Sequence, residues 1–255
     1  MKISTAYFSA TNTTKAIVTA IAKELGTEVT HYNITNNHLH EEIEIAPEDV
    51  LLVGMPVYAG RIPALAVDSL KQFKGRHTPV ILVAVYGNRA VDDAFVEMQD
   101  LFEARGFFVM AAGSFIAQHS IFPKTAKGRP DASDFQKIKE FSQHCLKNLQ
   151  QGISADARSV SLPGNRPYKT PGSIPLKVVT SSRCKECGAC IKACPAGAIP
   201  ADNPHVTDFE KCIHCARCIQ ICQEHARHFD GLLYKVAAWK FGRKCKVRLE
   251  PEFYF

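Results

Sequence analysis

Two cysteine runs with one common spacing lie in the second half of the chain. In each run, two residues separate neighbouring cysteines among the first three, and three residues separate the third from the fourth. The runs are Cys184, Cys187, Cys190 and Cys194, then Cys212, Cys215, Cys218 and Cys222. This spacing is typical of [4Fe–4S] ligands, in which three thiolates bind one cube and the fourth reaches the other cube. It predicts two clusters with crossed ligation: Cys184, Cys187, Cys190 and Cys222 for one, and Cys212, Cys215, Cys218 and Cys194 for the second.

Disulfides and structural zinc are the alternative uses of so many cysteines. The chain begins at Met1 without the basic and apolar segments of a secretory signal peptide, so a disulfide framework is not expected. Zinc sites usually pair two short CxxC motifs across a longer gap, which leaves the third and fourth cysteines of each run without a use. Cys145 and Cys245 lie outside both runs, and we assign them no role because lone cysteines are mostly small buried side chains.

The cysteine distribution divides the 255 residues, with one cysteine before Arg183 and nine after it. Two domains fit this division better than one. We predict a first domain at 1–152, an extended connector rich in Pro, Gly, Ser and Arg at 153–176, a cluster domain at 177–230, and a basic C-terminal extension at 231–255.

Charge and hydropathy bound the compartment and the partners. The net charge of +6 is modest, and much of the basic excess follows Cys222 without any nucleic-acid-binding motif. We therefore expect no nucleic-acid partner, and a basic face that steers acidic redox partner proteins. The apolar runs at 50–53 and 80–85 are too short to cross a bilayer, so a cytoplasmic protein with no membrane partner is expected. The sequence is compatible with a homo-oligomer.

The first domain alternates apolar, β-branched segments with amphipathic ones. Strands are expected at 2–8, 28–34, 49–55, 79–86 and 107–117, and helices at 13–25, 63–74, 91–105 and 133–150. Such alternation predicts an α/β fold, a doubly wound five-stranded parallel sheet covered on both faces, with a small α+β cluster domain after it.

The loop after the first strand is rich in hydroxyl groups. Residues 9–14 read Ser-Ala-Thr-Asn-Thr-Thr and open a helix, whose free N–H groups and dipole favour an anion. The loop lacks the Gly and Lys of a nucleotide P-loop and the three glycines of a dinucleotide fingerprint. A phosphate monoester fits it, and an ordinary helix N-cap is the alternative.

Two further loops follow strands at the same edge of the predicted sheet. Tyr58, in the loop 56–63, can present a flat face to a planar ring. Gly87 permits close backbone approach, and the Asn88 amide can hydrogen-bond a polar ring edge. A phosphate loop and two ring-contacting loops at the carboxyl ends of parallel strands predict an FMN site.

These three loops resemble the flavin loops of flavodoxin-like domains, and the whole chain resembles the EFR1-type flavodoxin–ferredoxin fusions. In that family a flavodoxin-like domain is followed by a linker like that at 162–168 and a bacterial two-cluster ferredoxin. The resemblance implies FMN and two [4Fe–4S] clusters as cofactors. It implies these flavin-binding residues: Ser9, Thr11, Asn12, Thr13 and Thr14 at the phosphate, Tyr58 stacked on the ring within Pro56, Val57, Ala59 and Gly60, and Tyr86, Gly87, Asn88, Arg89 and Ala90 at the ring edge.

The chain departs from this family at three positions. The phosphate loop commonly has glycine where this chain has Ala10 and Asn12, but asparagine tolerates a left-handed backbone. Gln223 follows the last cysteine where proline is usual. Since that proline is not a ligand, the cluster is still expected.

Flavin handles one or two electrons and each cluster handles one, so their combination favours an electron-transfer protein that couples one-electron and two-electron chemistry between the clusters and FMN, with an enzyme left open. No catalytic residue is assigned. An FMN-dependent reductase is the main alternative, with Tyr58, Phe115, Ile121 and Phe122 lining a substrate pocket. A redox sensor is another, and a nicotinamide-driven reductase has no second fingerprint in its support.

Two features have open interpretations. His119 follows the last predicted strand as either a structural residue or a proton donor. Arg166, Tyr168 and Lys169 of the connector either pack over the first domain or remain solvated.

Overall fold

The computed structural model of the chain describes residues 1–152, 157–172 and 175–255. Parts of the predicted connector, at 153–156 and 173–174, lie outside the described residues.

The five strands predicted for the first domain form one parallel array. The strands of the array are β1 (Ile3–Tyr7), β2 (Val29–Asn33), β4 (Val50–Pro56), β6 (Thr78–Tyr86) and β7 (Phe107–Ile116), and two short strands, β3 (Ile43–Glu44) and β5 (Phe73–Lys74), lie outside it. The parallel order is β2-β1-β4-β6-β7, while β3 and β5 form a separate pair. Every residue of β4 and β6 is buried, as expected for central parallel strands with helices on both faces.

The helices cover the two faces of this sheet and confirm the doubly wound prediction. They are α1 (Thr13–Leu25), α2 (Ala64–Leu70), α3 (Ala94–Glu103) and α4 (Ala132–Gln150). Helices α1 and α4 share one apolar cluster with the sheet, and α2 and α3 share the other. Helix α2 is shorter than the predicted 63–74, because the chain turns after Leu70 and enters β5 at Phe73.

The second half contains a small α+β unit. Strand β8 (Val178–Thr180) pairs antiparallel with β9 (Arg227–Phe229), and between them lie the short helices α5 (Ala189–Ala193) and α6 (Arg217–Gln220). Helix α7 (Leu232–Lys244) follows. The small α+β unit was predicted. Among the described residues, no helix is long and apolar enough to span a membrane.

The C-terminal extension returns to the first domain and adds a sixth strand. Strand β10 (Glu252–Tyr254) pairs antiparallel with β7. The Phe253 ring packs against Phe115 and Phe141, at centroid distances of 5.8 and 5.1 Å. The prediction of a five-stranded sheet is therefore corrected: β7 would otherwise be an uncovered edge, and a distant segment covers it.

The connector is held against the first domain. Val160 N donates to Val109 O and Val109 N donates to Ser159 Oγ, both at 2.9 Å. Gly164 lies so close to Val96 that an added Cβ would stand 2.4 Å from its Cγ2 atom. These connector residues are therefore packed against the first domain rather than solvated.

Candidate functional site

The hydroxyl loop leads into helix α1 without a side-chain N-cap. Asn12 is left-handed, with φ at 66°, as its tolerance of that conformation predicts, and its side chain makes no capping bond. The Thr11 and Thr13 hydroxyls lie 3.2 Å apart, and no acidic residue occupies the first turn of α1. An ordinary side-chain N-cap is therefore not the function of Asn12, and the helix terminus is suited to an anion.

Ser9 shapes this loop from behind. Its N–H donates to Thr35 Oγ1 at 2.8 Å, and its Oγ accepts from Lys15 N at 3.0 Å. The backbone N–H and the hydroxyl of Ser9 thus both have partners within the protein.

A cavity of about 390 Å³ opens between the three predicted loops. This volume lies within the range of small-molecule sites. The predicted flavin residues that line it are Thr11, Thr13, Thr14, Pro56, Val57, Tyr58, Ala59, Tyr86, Gly87 and Arg89. Ser9, Asn12, Gly60, Asn88 and Ala90 are not in its wall.

Tyr58 is presented by a tight turn. Its N–H donates to Arg61 O at 2.9 Å, and Arg61 N donates back to Tyr58 O at 3.1 Å. Ala59 and Gly60 between them have φ at 53° and 89°, as a type I′ turn requires. Burial and then the nearby Cys215 thiol raise the pKa of Tyr58 well above its ordinary value, so the phenol stays neutral.

The Asn88 amide serves the C-terminal segment, not the cavity. Its Nδ2 donates to Cys245 O at 2.9 Å and to Val247 O at 2.8 Å, and its Oδ1 accepts from Leu249 N at 3.0 Å. These bonds use both N–H donors of the amide and one lone pair of its oxygen. We therefore correct the expected contact between the Asn88 side chain and a flavin ring.

His119 lines the cavity and stabilises its own turn. Its Nδ1 accepts from Ile121 N at 3.1 Å and Phe122 N at 3.2 Å, which leaves the proton of the neutral ring on Nε2. Burial, with Arg89 nearby, lowers the pKa of His119 to about 4. Gly87 is needed here, since an added Cβ would lie 2.5 Å from His119 Cδ2. His119 is thus a neutral structural residue with one N–H left over.

Phe115, one of the four residues expected to line a substrate pocket, does not line the cavity. Phe115 is buried in the core between Phe141 and Phe253, away from the cavity. Ile121, Phe122 and Tyr58 do line the cavity. Alternate residues of β7 face opposite sides of the sheet, and Phe115 lies on the side covered by α1 and α4.

The second half of the chain supplies part of the cavity wall. These residues are Lys169, Gly172, Leu176, Ile213, His214 and Phe241. Ile213 and His214 lie between Cys212 and Cys215, so the cavity and the second cysteine run share a wall. Nothing in the sequence indicated this contact, because it depends on how the two halves dock.

Four cysteines surround a second, smaller cavity. They are Cys194 from the first run and Cys212, Cys215 and Cys218 from the second, which is the crossed set expected for one cluster. All ten cysteines are free. In the described parts of the chain, no three His, Cys, Asp or Glu side chains converge on a single metal ion. The donor set fits a polynuclear cluster, and the set with Cys222 remains a prediction.

Burial keeps these thiols protonated when no metal is bound. It raises the pKa of Cys215 to about 12, and it raises the pKa of Cys212 and of Cys218. Cluster binding would therefore displace protons from the three groups.

The two cysteine runs have the same backbone conformation. Left-handed residues occur at matching places: Glu186 and His214, Gly188 and Ala216, Gly197 and His225. After each run, a backbone N–H donates to the fourth sulfur at 3.3 Å, from Ala198 to Cys194 and from Ala226 to Cys222. Gln223, in place of the usual proline, does not disturb this geometry.

Arg217 links the second cysteine run to the hydroxyl loop. Its Nη1 donates to Ser9 O at 3.3 Å and to Ala10 O at 3.1 Å, and the residue also lines the cysteine cavity. Its Nε is buried and has no hydrogen-bond partner within the described residues. A cluster sulfur would satisfy that N–H. Sequence analysis missed Arg217, whose position between two cysteines was the only signal.

Arg227 lies beside the same cysteine set. It is buried, and its Nη1 donates to Pro204 O at 2.6 Å. Its charge and hydrogen bond oppose the effect of burial on the pKa of Cys218. A buried cation here would stabilise thiolate and cluster charge.

The connector is fastened to α3 and to Asp93, the residue that precedes it. Asp93 accepts from Asn165 N at 2.8 Å and from Lys169 N at 2.7 Å. Asp100 accepts from Arg166 Nε at 2.8 Å and from the Tyr168 hydroxyl. The Lys169 backbone N–H lowers the pKa of Asp93, and Arg166 lowers the pKa of Asp100.

Arg61 completes this attachment. Its guanidinium lies 4.5 Å from the centroid of the Tyr168 ring and donates to Lys169 O at 3.1 Å. It also forms two bonds to Glu97, at 2.7 and 2.8 Å. The connector residues therefore pack over the first domain, and Lys169 reaches the cavity wall.

Two family models match the chain. The one described as "Flavodoxin domain" matches residues 5–106, and the one described as "4Fe-4S dicluster domain" matches residues 167–227. No curated protein matches this chain.

Several solved structures resemble the first part of the chain. An archaeal flavodoxin has 16% identity and a TM-score of 0.44, covering 59% of this chain and 99% of its own. A Streptococcus pneumoniae TIGR4 flavodoxin has 14% identity and a TM-score of 0.41, covering 60% and 100%. A Fusobacterium nucleatum flavodoxin bound to FMN has 16% identity and a TM-score of 0.38, covering 57% and 97%. At these TM-scores, the likenesses carry no functional inference.

Proposed function

We propose that this chain, in which a flavodoxin model and a 4Fe-4S dicluster model match successive parts, is an electron-transfer protein that passes electrons between two [4Fe–4S] clusters and FMN. The observation that carries the proposal is the shared wall: Ile213 and His214 line the large cavity while their neighbours Cys212 and Cys215 line the cysteine cavity. The FMN cavity and one cluster site are thus adjacent without any domain movement.

The count of two clusters is supported by the repeated backbone of the cysteine runs and by the crossed grouping of Cys194 with the first three cysteines of the second run. The set of Cys194, Cys212, Cys215 and Cys218 would hold the cluster nearer FMN, which we call the proximal cluster. The other set would hold the distal cluster. It includes Cys187, which is exposed, so this side is suited to exchange electrons with a redox partner protein.

The chain's own residues have distinct tasks in this proposal. When bound, FMN would supply exchange between one-electron and two-electron chemistry. The hydroxyls of Thr11, Thr13 and Thr14 would bind its phosphate, while Tyr58 flanks its ring. Leu176 and Phe241 exclude water from the cavity, and Arg217 holds the proximal cysteine run against the hydroxyl loop. A reducing compartment such as the cytoplasm would preserve the thiolates.

A small-molecule reductase is less well supported. Ile121 and Phe122 line the cavity as that function needs, but six residues of the second half close the same space. A substrate would have to share with FMN a cavity that these six residues already close.

The test compares the fourth cysteines of the two runs. Reconstituted protein should contain about eight iron atoms per FMN, as two cubes require. Cys194→Ser and Cys222→Ser should each lose about half of the iron, and Cys145→Ala, outside both runs, should lose none. During anaerobic rapid mixing with a one-electron reductant, the flavin absorbance should respond much more slowly in Cys194→Ser than in Cys222→Ser.

Other outcomes would redirect or end the proposal. Equal rates of flavin reduction in the two cysteine variants would contradict the assignment of one cluster as nearer to FMN. Stoichiometric turnover of one member of a small-molecule panel would make the protein a reductase. Absence of FMN from the reconstituted protein would contradict both functions.

A further inference from the structure

Helix α7 is attached to the protein through one face only. Tyr234, Ala237, Ala238 and Phe241 pack against the apolar cluster that contains Ile121 and Phe122. The Tyr234 hydroxyl donates to Ile121 O at 3.0 Å. These residues account for the inner face of the helix.

The outer face of α7 is apolar as well. Leu232 is 79% exposed, Leu233 54%, Val236 41% and Trp239 60%. Leu232, Val236 and Trp239 follow a spacing of four and three residues, which places them in one stripe along the helix. Val247, just past the helix end, is 73% exposed. A soluble surface seldom groups so many exposed apolar side chains without an interaction partner.

Cations border this stripe on both sides. On a helical projection, Lys235 lies on one side of it, and Lys240 and Lys244 lie on the other. Arg243 continues the stripe, with its guanidinium 4.9 Å from the centroid of the Trp239 ring. Asp230, an acidic residue just before the helix, has its Oδ1 3.9 Å from Lys235 Nζ. The face is therefore apolar along its centre and positive along its borders.

We propose that the outer face of α7 docks on the surface of an anionic lipid bilayer. The apolar stripe would enter the region between headgroups and acyl chains, and the lysines would reach the anionic headgroups. Tryptophan is favoured at that depth. This proposal revises the sequence-based expectation of no membrane partner, and it concerns the surface of a bilayer rather than its span.

Other occupants fit the face less well. A second copy would bring two positive faces together, which like charges oppose. An acidic protein would need a groove matching protruding side chains, whereas a fluid bilayer accepts them without a complementary shape. Charge and shape together favour lipid.

The chain offers an internal reporter, because Trp239 is its one tryptophan. Holoprotein with FMN and clusters would be mixed with vesicles of phosphatidylcholine alone or with about 30% phosphatidylglycerol, a composition chosen to give the surface negative charge. We expect co-sedimentation and a blue shift of tryptophan emission with the anionic vesicles only, and a strong loss of both at 0.5 M salt, where screening is short-ranged.

Variants separate the two contributions. The double variant Leu232→Ser with Val236→Ser should lower the partition coefficient about tenfold, because less apolar area enters the bilayer. Lys240→Gln and Lys244→Gln should each lower it about fivefold. Phe135→Ser, at an exposed apolar position on α4, is the matched control and should have no effect. FMN and iron contents report that each variant is folded.

Three outcomes would overturn the proposal. They are no binding to anionic vesicles at low salt, binding that the Leu232 and Val236 variant leaves intact, and a saturable emission shift with an acidic electron carrier protein but not with vesicles.

Discussion

At the scale of single residues, His119 combines a structural bond pattern with a position in the cavity wall. Burial lowers the pKa of His119 from 6.5 to about 4, so the folded protein takes up this proton only at low pH. The unfolded chain takes it up near 6.5. This depressed pKa means that the fold loses stability as the pH falls from about 6.5 towards 4.

We expect His119→Asn to remove that loss, because an asparagine oxygen can accept from the same backbone N–H groups without titrating. The measurement is the fall in Tm between pH 7 and pH 5, compared with that of the wild type. His38→Asn, at an exposed histidine, is the control. An unchanged fall in the His119 variant would show that other groups cause it.

Arg217 is the residue whose loss should affect both cofactor sites. Arg217→Gln removes a cation from the proximal cysteine set and the bonds to Ser9 O and Ala10 O. We expect FMN to bind about tenfold more weakly, since hydrogen bonds from charged groups contribute about 1.5–3 kcal/mol. The reduction potential of the proximal cluster should fall as well, because a positive charge and an N–H donor are lost.

Fluorescence titration of FMN and potentiometric titration of the clusters would measure these two effects. Lys211→Gln removes an exposed charge next to Cys212 and serves as the control, with small changes expected. If both quantities match the wild type in Arg217→Gln, the arginine has no part in coupling the sites.

At the scale of elements, the connector depends more on Asp93 than on Asp100. Asp93 is buried and accepts two backbone N–H groups, whereas Asp100 pairs with half-exposed side chains. Asp93→Ala should cost about 1–3 kcal/mol by leaving buried donors unpaired. Asp100→Ala should cost about 1 kcal/mol or less, as surface ion pairs do.

Hydrogen exchange of the connector amides would rank the two variants. The pKa of Asp93 is lowered in the docked state, so docking is favoured above the ordinary carboxyl pKa of 3.8 and is lost as pH falls through the lowered value. Equal protection in both variants would contradict this ranking.

Strand β10 makes the first domain dependent on the last residues of the chain. Phe253→Ala should destabilise it by about 2 kcal/mol, because the ring packs against Phe115 and Phe141. Phe255→Ala, at a more exposed ring of the same segment, should cost clearly less. Urea unfolding followed by far-UV circular dichroism would measure both, and equal losses would remove the special role of Phe253.

At the scale of the whole molecule, the two halves of the chain line the large cavity together. The loop of Ile213 and His214 serves both cavities, so binding at one site should stabilise the other. We expect removal of the clusters by an iron chelator to weaken FMN binding about tenfold, and FMN to slow the loss of iron. The tenfold figure corresponds to a coupling free energy within the usual range for linked sites.

The Cys222→Ser variant is the matched control for this linkage, since it should lose the distal cluster and keep the proximal one. Its FMN affinity should stay near that of the wild type. An FMN dissociation constant that does not change when all iron is removed would show that the shared wall transmits no coupling.

Local patterns in the sequence were sufficient for the strands and helices of the first domain, and they indicated candidate residues for the site. The period of the apolar residues predicted its five parallel strands and four helices, because burial on one or two faces imposes a distinct spacing on each. The hydroxyl loop, Tyr58 and Gly87 were recognisable since each follows a strand. The cysteine spacing was informative because cluster geometry constrains neighbouring ligands.

Tertiary structure decided what depends on residues far apart in the chain. The Asn88 amide binds residues 245–249, Arg217 reaches the hydroxyl loop, and β10 covers β7, and no local pattern encodes any of these contacts. The sequence by itself determined which cofactor classes the chain is built for. Only the docking of its two halves placed one cysteine set against the cavity, because packing of distant surfaces, unlike ligand spacing, leaves no periodic trace in a single sequence.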